Sequence, residues 1–219
     1  MNYVLHYNEI VSLLTVLAKE SLSTGKSKPL VLFTSGCNDY GMVDLATDSP
    51  GLKQPQTEES HIGPPPFAVD RATYAVKIFE HKEFFDAAVL YPTNVYGLAS
   101  SFYGGFFRLA KEGKGKGVWV LNEHPKTILH AMHVDDCGDA YVALAGDEAR
   151  REVGGACFNI SSHRFETSRE ISEALAQEYG IREIKRGPIP EGRADVVFDR
   201  GRLLFFYLNF CFEKVLMRS

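Results

Sequence analysis

Val31–Gly41 reads VLFTSGCNDYG, and Phe67–Arg71 reads FAVDR. The first stretch is an apolar run that ends at Thr34-Ser35-Gly36, where the backbone must turn and polar groups face outward. In an open α/β sheet, ligands collect outside the carboxyl ends of the strands. FAVDR opens a helix able to pack beside that strand end. These two stretches decide the fold and mark the candidate site, and the rest of the chain is read outward from them.

Upstream, Ile10, Val11, Leu13, Leu14, Leu17 and Ala18 recur at helical spacing within residues 3–22, and Gly25 stops that helix. Pro29 precedes a short strand over Leu30–Phe33. From Asp44 to Pro66 the composition turns to Asp, Ser, Thr, Glu, Gly and Pro, a long surface loop. Helical signals run from Phe67 to about Phe85, and a strand over Ala87–Leu90 ends at Tyr91-Pro92. Residues 99–112 read as a helix with Phe102, Phe106, Leu109 and Ala110 on one face, stopped by Gly113. Val118–Leu121 is a strand, Ile128–Val134 is mixed, and Asp136–Ala145 is helical. Ala156–Ile160 is a further strand, Thr167 or Ser168 caps a helix to Tyr179, and Ile181–Ile184 is the last strand. Short strands alternating with helices imply an α/β protein with a mostly parallel sheet and helices on both faces. The alternation opens on a helix rather than on a strand.

The 219 residues can bury a sizeable single core, and 45% hydrophobic with 24% charged residues is ordinary for a globular protein. The boundaries expected are one partial domain over residues 1–200 and an apolar tail over 201–219. With 24 basic against 28 acidic residues, the net charge of −4 offers no general attraction to nucleic acid or to an anionic membrane. Cys37, Cys137, Cys157 and Cys211 are scattered without a CxxC pair, which fits buried thiols in a reducing compartment. No secretory leader is visible at the N-terminus, so a cytoplasmic location is expected. The longest apolar run, Leu203–Phe212, falls short of the roughly 20 residues that a spanning helix needs.

In this order and spacing, the motifs resemble the extended short-chain dehydrogenase/reductase superfamily, the NAD-dependent epimerase/dehydratase group. FTSGCNDYG resembles the strand and loop of the active-site serine or threonine, and FAVDR stands where that group has its YxxxK helix. LYPTNVYG resembles an RPxNVYG segment, HAMHVDDCGDAYVAL an HVDD helix start, and CFNISS an FNI strand. The resemblance covers residues 1 to about 180. It implies a Rossmann-like fold, NAD or NADP as cofactor, a small hydroxylated substrate and room for a homodimer. Thr34 and Ser35 would hydrogen-bond the substrate, with Ser35 and Arg71 at the catalytic positions and Arg71 on the cofactor ribose. Thr34, Gly36, Phe67 and the Pro92-Thr93-Asn94-Val95 backbone would line the cofactor, and Tyr96 would meet the substrate.

Two departures qualify this. The group opens with a strand and a Gly-rich turn that holds the cofactor pyrophosphate on a helix N-terminus. Here the one Gly cluster, Gly113–Gly117, follows a helix and precedes a strand, so it reads as a turn. The resemblance therefore implies that the first half of the dinucleotide-binding sheet is missing from this sequence. The catalytic positions differ as well: the serine or threonine falls on Gly36, the tyrosine on Phe67 and the lysine on Arg71. Phenylalanine has no ionisable hydroxyl, so the acid/base that hydride chemistry on an alcohol requires is lacking. Three readings are left open: nominal oxidoreductase or epimerase activity, weak or absent in this chain; a catalytically silent binding or regulatory protein on the same scaffold; or a truncated gene-model product that does not fold alone.

The remaining candidates take plainer readings. Tyr74 and Lys77 lie one residue closer than a YxxxK pair and read as an amphipathic surface pair. His130, His133, Asp135 and Asp136 could suggest a metal, but Asp135 or Asp136 as a helix N-cap accounts for the acids. Ser161-Ser162-His163 reads as a strand-end loop, and Lys111, Lys114, Lys116 and Lys126 as a solvated face.

Overall fold

The structure, a computed structural model, describes residues 3–41, 55–98 and 103–188. In chain order its helices are α1 (Tyr3–Ser23), α2 (Val69–Lys77), α3 (Gly104–Lys116), α4 (Val134–Leu144), α5 (Arg150–Val153) and α6 (Ser168–Tyr179). The strands are β1 (Leu30–Thr34), β2 (Asp86–Pro92), β3 (Asn94–Tyr96), β4 (Val118–Leu121), β5 (Ile128–Leu129), β6 (Ala131–His133), β7 (Cys157–Ile160), β8 (Glu166–Thr167) and β9 (Glu183–Arg186).

The main sheet pairs β1, β2 and β7 in that order, all parallel. Thr34 stands opposite Leu90 and Pro92 opposite Ile160, so the three strands finish at one edge of the sheet. β2 runs through the middle with Ala87 to Tyr91 buried, the continuous apolar run of a strand covered on both faces. Its alternate residues divide the core. Ala87, Val89 and Tyr91 pack with Tyr7 and Ala18 of α1 and with Ala75 and Ile78. Ala88 and Leu90 pack on the other face with Leu144, Val153 and Phe158. Burying each such large apolar side chain stabilises by about 1.5–3 kcal/mol.

A second body of structure continues from the sheet edge. β3 pairs β6 in parallel, β4 pairs β9 in parallel, and β5 pairs β8 antiparallel. Phe106, Ala110, Trp119, Leu175 and Ile181 form its core, between α3, α6 and the β4–β9 pair.

Several expectations need correction. Gly113 does not stop α3, which runs on through Gly115 to Lys116 and closes at Gly117, with φ +68°. Gly113 is buried where a Cβ would lie 3.1 Å from the Val118 carbonyl oxygen, so the small residue serves packing inside the helix, not a turn. The α4 cap is not an acid: the His133 side chain accepts from the Asp135 N–H at 3.2 Å. The strand after α2 keeps pairing through Tyr91 and Pro92, because Pro92 needs no N–H at the end of its ladder. The last strand sits two residues later than expected, at Glu183–Arg186, fixed by pairing with Val118–Leu121. Among the described residues, Gln56 to Ile62 are fastened to the core and not loose loop: Asn159 donates its N–H to Glu58 Oε1 at 2.9 Å and its side-chain amide to the Gln56 carbonyl at 3.2 Å. The first part of that expected loop, the expected boundary at residue 200 and the whole 201–219 tail, with Leu203–Phe212, lie outside the described residues. Among the described residues, no helix is long and apolar enough to cross a membrane.

Candidate active site

The site is built where β1 ends. The Ser35 N–H donates to the Leu90 carbonyl at 2.8 Å, continuing the ladder one residue past the strand. Gly36 then leads into a turn of 3₁₀ helix over Cys37–Tyr40. Asp39, fully buried within that turn, gathers the loop. Its carboxylate accepts from the Ser35 hydroxyl. Arg71 Nε and Nη2 both donate to Asp39 Oδ1, at 2.9 and 2.6 Å. The Asp39 carbonyl accepts from the Gly63 N–H at 3.0 Å. A buried carboxylate demands such partners, and a guanidinium is suited to supply two donors in one plane.

Arg71 closes over the turn. A Cβ at Gly36 would lie 3.2 Å from the guanidinium carbon, so the glycine makes room for the arginine. Phe67, by contrast, stands 71% exposed on the 3₁₀ turn Pro66–Ala68. Tyr74 is half-buried and pairs with Lys77, as its spacing suggested, but it also reaches the core. Its ring lies 4.9 Å from Tyr7, against the core, while Lys77 Nζ sits 4.5 Å from its centroid. Thr34 is exposed and shares a 2.7 Å hydrogen bond with the Tyr141 hydroxyl of α4. Next door, the Tyr40 hydroxyl donates to Asn159 Oδ1 at 2.8 Å. Burial pushes the Tyr40 hydroxyl far above the usual tyrosine range, with the nearby Glu58 carboxylate adding to it.

The end of β2 supplies the other half of the edge. Thr93 is buried and its N–H donates to the Ile160 carbonyl at 3.0 Å. The Asn94 N–H donates to the His130 carbonyl at 3.2 Å, and Asn94 to Tyr96 pair with Ala131 to His133. The Tyr96 ring stands edge-on to Tyr103 and to His133, at 5.9 and 5.4 Å. Gly97, at φ +124°, could not carry a side chain there, since a Cβ would come within 2.7 Å of His133 Nε2.

Beyond Tyr96 opens a cavity of about 590 Å³ between the start of α3 and α6. Its walls include Tyr103, Phe106, Phe107, Ile171 and Leu175, with the Glu166 carboxylate at one side. Burial raises that carboxyl above its usual range, and Arg164, 3.6 Å away, pulls in the opposite direction.

Thr34, Ser35, Gly36 and Arg71 thus come together at one strand end, and Pro92 to Tyr96 form the neighbouring strand end with the cavity beyond. Sequence reading missed Asp39, the residue that organises the loop. Its signal was an acid four positions after Ser35 in an otherwise neutral turn, together with an arginine on FAVDR to answer it. It also missed the α3–α6 cavity, since α3 and α6 are separated by more than 50 residues of chain. Ser161 does not lie among nucleophile partners; it is buried at the end of β7. No group of three or more His, Cys, Asp or Glu among the described residues is placed to hold a metal ion.

No protein-family model matches the chain, and neither does any curated protein. Solved structures do resemble it. A dTDP-glucose 4,6-dehydratase from Bacillus anthracis, in complex with NAD, is 17% identical with a TM-score of 0.65, over 88% of this chain and 60% of that one. RMD from Pseudomonas aeruginosa, complexed with NADPH, is 22% identical with a TM-score of 0.62, over 86% and 63%. A UDP-glucose 4-epimerase from Thermotoga maritima, with UDP-glucose, is 19% identical with a TM-score of 0.62, over 85% and 59%. The chain therefore spans about 60% of the length of the dehydratase it matches. At these identities the likeness speaks for the fold, and the fold is α/β and Rossmann-like, shared with the NAD-bound dehydratase, the NADPH-bound RMD and the UDP-glucose-bound epimerase.

Proposed function

We propose that this protein is an NAD(P)-binding, epimerase/dehydratase-like protein whose strand-end site takes a small hydroxylated substrate. Its power to carry out hydride chemistry as this chain is weak or nil. The observation that carries the reading is the convergence of Thr34, Ser35, Gly36 and Arg71 at the end of β1, beside Pro92 to Tyr96 at the end of β2. In the nucleotide-bound neighbours, NAD or NADPH is the bound cofactor.

The residues fit one end of such a cofactor and not the other. The Pro92-to-Val95 segment at the end of β2 would line a nicotinamide ring, and Arg71, held by Asp39 beyond the end of β1, would meet a ribose. Its Nε and Nη2 are already given to Asp39, which leaves Nη1 for that contact. The pyrophosphate end has no strand–glycine turn–helix among the described residues to hold it. When bound, a nicotinamide cofactor supplies the hydride acceptor or donor. The chain's own part is to orient: the exposed Thr34 hydroxyl can turn toward a substrate oxygen, while the buried Ser35 hydroxyl stays on Asp39. No side chain stands at Phe67 to move a proton.

Isothermal titration of the 219-residue chain with NAD and with NADP tests the reading. Weak one-site binding of either, further weakened by Arg71→Met, is expected. No heat at millimolar cofactor overturns binding by this chain.

The exposed Phe67 and the Asp39-bound Arg71 favour a second reading, a catalytically silent binding or regulatory protein on the same scaffold. Installing Tyr at 67 and Lys at 71 separates the two. Turnover on a panel of alcohols would mark a lapsed enzyme, and its absence in a folded, cofactor-binding variant supports the silent protein.

A further inference from the structure

β1 is the rim of the main sheet: among the described residues it pairs with β2 on one side and with no strand on the other. That pairing fixes which backbone groups are left over. The Ser35 N–H donates to the Leu90 carbonyl and the Pro29 carbonyl accepts from Asp86, so odd-numbered residues turn their N–H and C=O groups toward β2. Leu30, Leu32 and Thr34 therefore turn theirs outward. An exposed row of this kind is a template for another strand, and natural edges are commonly blunted by lysine, proline or a bulge. Leu30–Thr34 reads LVLFT, with neither residue in it and an unbroken register on β2. Lys28, just before the strand, is committed to Asp86 and to the Lys82 carbonyl. One face of the edge is also flanked by apolar side chains. α1 lays Tyr7, Val11, Leu14 and Ala18 on the sheet beside Val31 and Phe33. At about 100° per residue, Lys19 projects from one flank of that face, and Leu13 and Leu17 project from the other. Lys19 Nζ sits 5.2 Å over the Phe84 ring, just before β2, so the leucine flank is turned to the free side of β1. Leu13 and Leu17 stand 60% and 54% exposed there.

We propose that a second copy of this chain docks on the free edge of β1, its own β1 running antiparallel, with the leucine flanks of the two α1 helices meeting over the seam. The edge is complementary to itself. Its outward residues are spaced evenly about Leu32, so two copies set Leu32 opposite Leu32 and Leu30 opposite Thr34, each pair exchanging two hydrogen bonds. The strand has no charge to repel its copy, and one patch serves both partners, as a closed two-fold assembly requires. The axis stands perpendicular to the sheet, so both α1 helices lie on one face and Leu13 and Leu17 leave water together. Only the backbone of Thr34 is engaged, and its side chain keeps its bond to Tyr141. The two sheets become one, and the two strand-end sites open at its opposite ends. No NAD or NADP is involved, so the dimer stands whether or not the cofactor reading above holds.

Sedimentation equilibrium of the full chain, without cofactor, tests this. A monomer–dimer equilibrium with a dissociation constant of about 1–100 μM is expected, as suits a short seam. Leu17→Lys, at an exposed position of α1, sets like charges across the seam and should weaken dimerisation by about tenfold or more, with circular dichroism unchanged. Val76→Lys, exposed on α2, should leave the equilibrium as it was. Amide hydrogen exchange reads the seam in the unmodified chain and depends on no variant folding. The Leu30, Leu32 and Thr34 amides should slow by about tenfold or more as the chain is concentrated through the dissociation constant, while Val31 and Phe33, bonded to β2, stay slow throughout. A chain that remains monomeric up to about 200 μM overturns the proposal. So does a dimer in which those three amides gain no protection, or one that Val76→Lys breaks and a folded Leu17→Lys spares.

Discussion

At the scale of single residues, Asp39 determines the shape of the site. It is fully buried and is held by Arg71, whose side chain is 30% exposed, and by the Ser35 hydroxyl. Removing one partner of a buried pair leaves a charge without compensation, which costs about 3–5 kcal/mol. Arg71→Met should therefore lower the denaturant-unfolding free energy by about 3 kcal/mol, whereas Asp39→Asn with Arg71→Met together should cost less than the two changes added. Additive costs in that double-mutant cycle would show that the pair is not coupled. Arg71→Lys should fall between, because an ammonium cannot make the two-pronged contact. The sequence showed that an arginine stands where a lysine was expected. It could not show the reason, because the acid that Arg71 meets lies 32 positions away, in a different element.

At the scale of elements, legibility followed locality. The α6 start was readable to within a residue, at Thr167 or Ser168, and the structure puts the cap on Thr167 in a full capping box, with the Glu170 N–H donating to the Thr167 hydroxyl and the Thr167 N–H donating to the Glu170 carboxylate at 2.7 Å. The same contacts hold the exposed Glu170 carboxyl below its usual range. Thr167→Ala should cost about 1 kcal/mol of stability, measurable as a shift in urea midpoint with an unchanged slope. A shift within error would deny the cap its role. The α3 end misled for a nonlocal reason. Gly113 looks like a stop in sequence, but Trp119 and Ile181 crowd its position and turn the residue into a packing contact inside a helix. Likewise the cap of α4 passed to His133, whose ring is placed by pairing of β6 with β3 as much as by its own neighbours.

At the scale of the whole molecule, a mostly parallel sheet covered on both faces was legible from the alternation of short strands and helices, whereas the β1–β2–β7 order was not. The separate β4–β9 and β5–β8 pairs were not, since each joins strands of two to four residues that carry little pattern. The core also carries a pH signature. Burial, reinforced by Glu80, raises the Tyr7 hydroxyl from 10.0 to about 12, and burial raises Tyr40 and Tyr91 further. A group with a raised folded pKa keeps its full contribution below its unfolded value and loses it as the pH climbs. Stability should hold up to about pH 10 and fall steeply toward pH 12, with the ultraviolet absorbance of tyrosinate rising together with loss of helix signal. Ionisation of Tyr7, Tyr40 or Tyr91 well below unfolding, read as the absorbance lost in the corresponding Tyr→Phe variant, would contradict the burial of these hydroxyls.

The arginine lying over Gly36 ties the two positions together. A first side-chain carbon at position 36 would lie 3.2 Å from the Arg71 guanidinium, which is also the counterion of Asp39. A side chain at 36 therefore displaces the guanidinium by a few tenths of an ångström and loosens its hold on the buried carboxylate, so the costs of substitution at 36 and at 71 do not add.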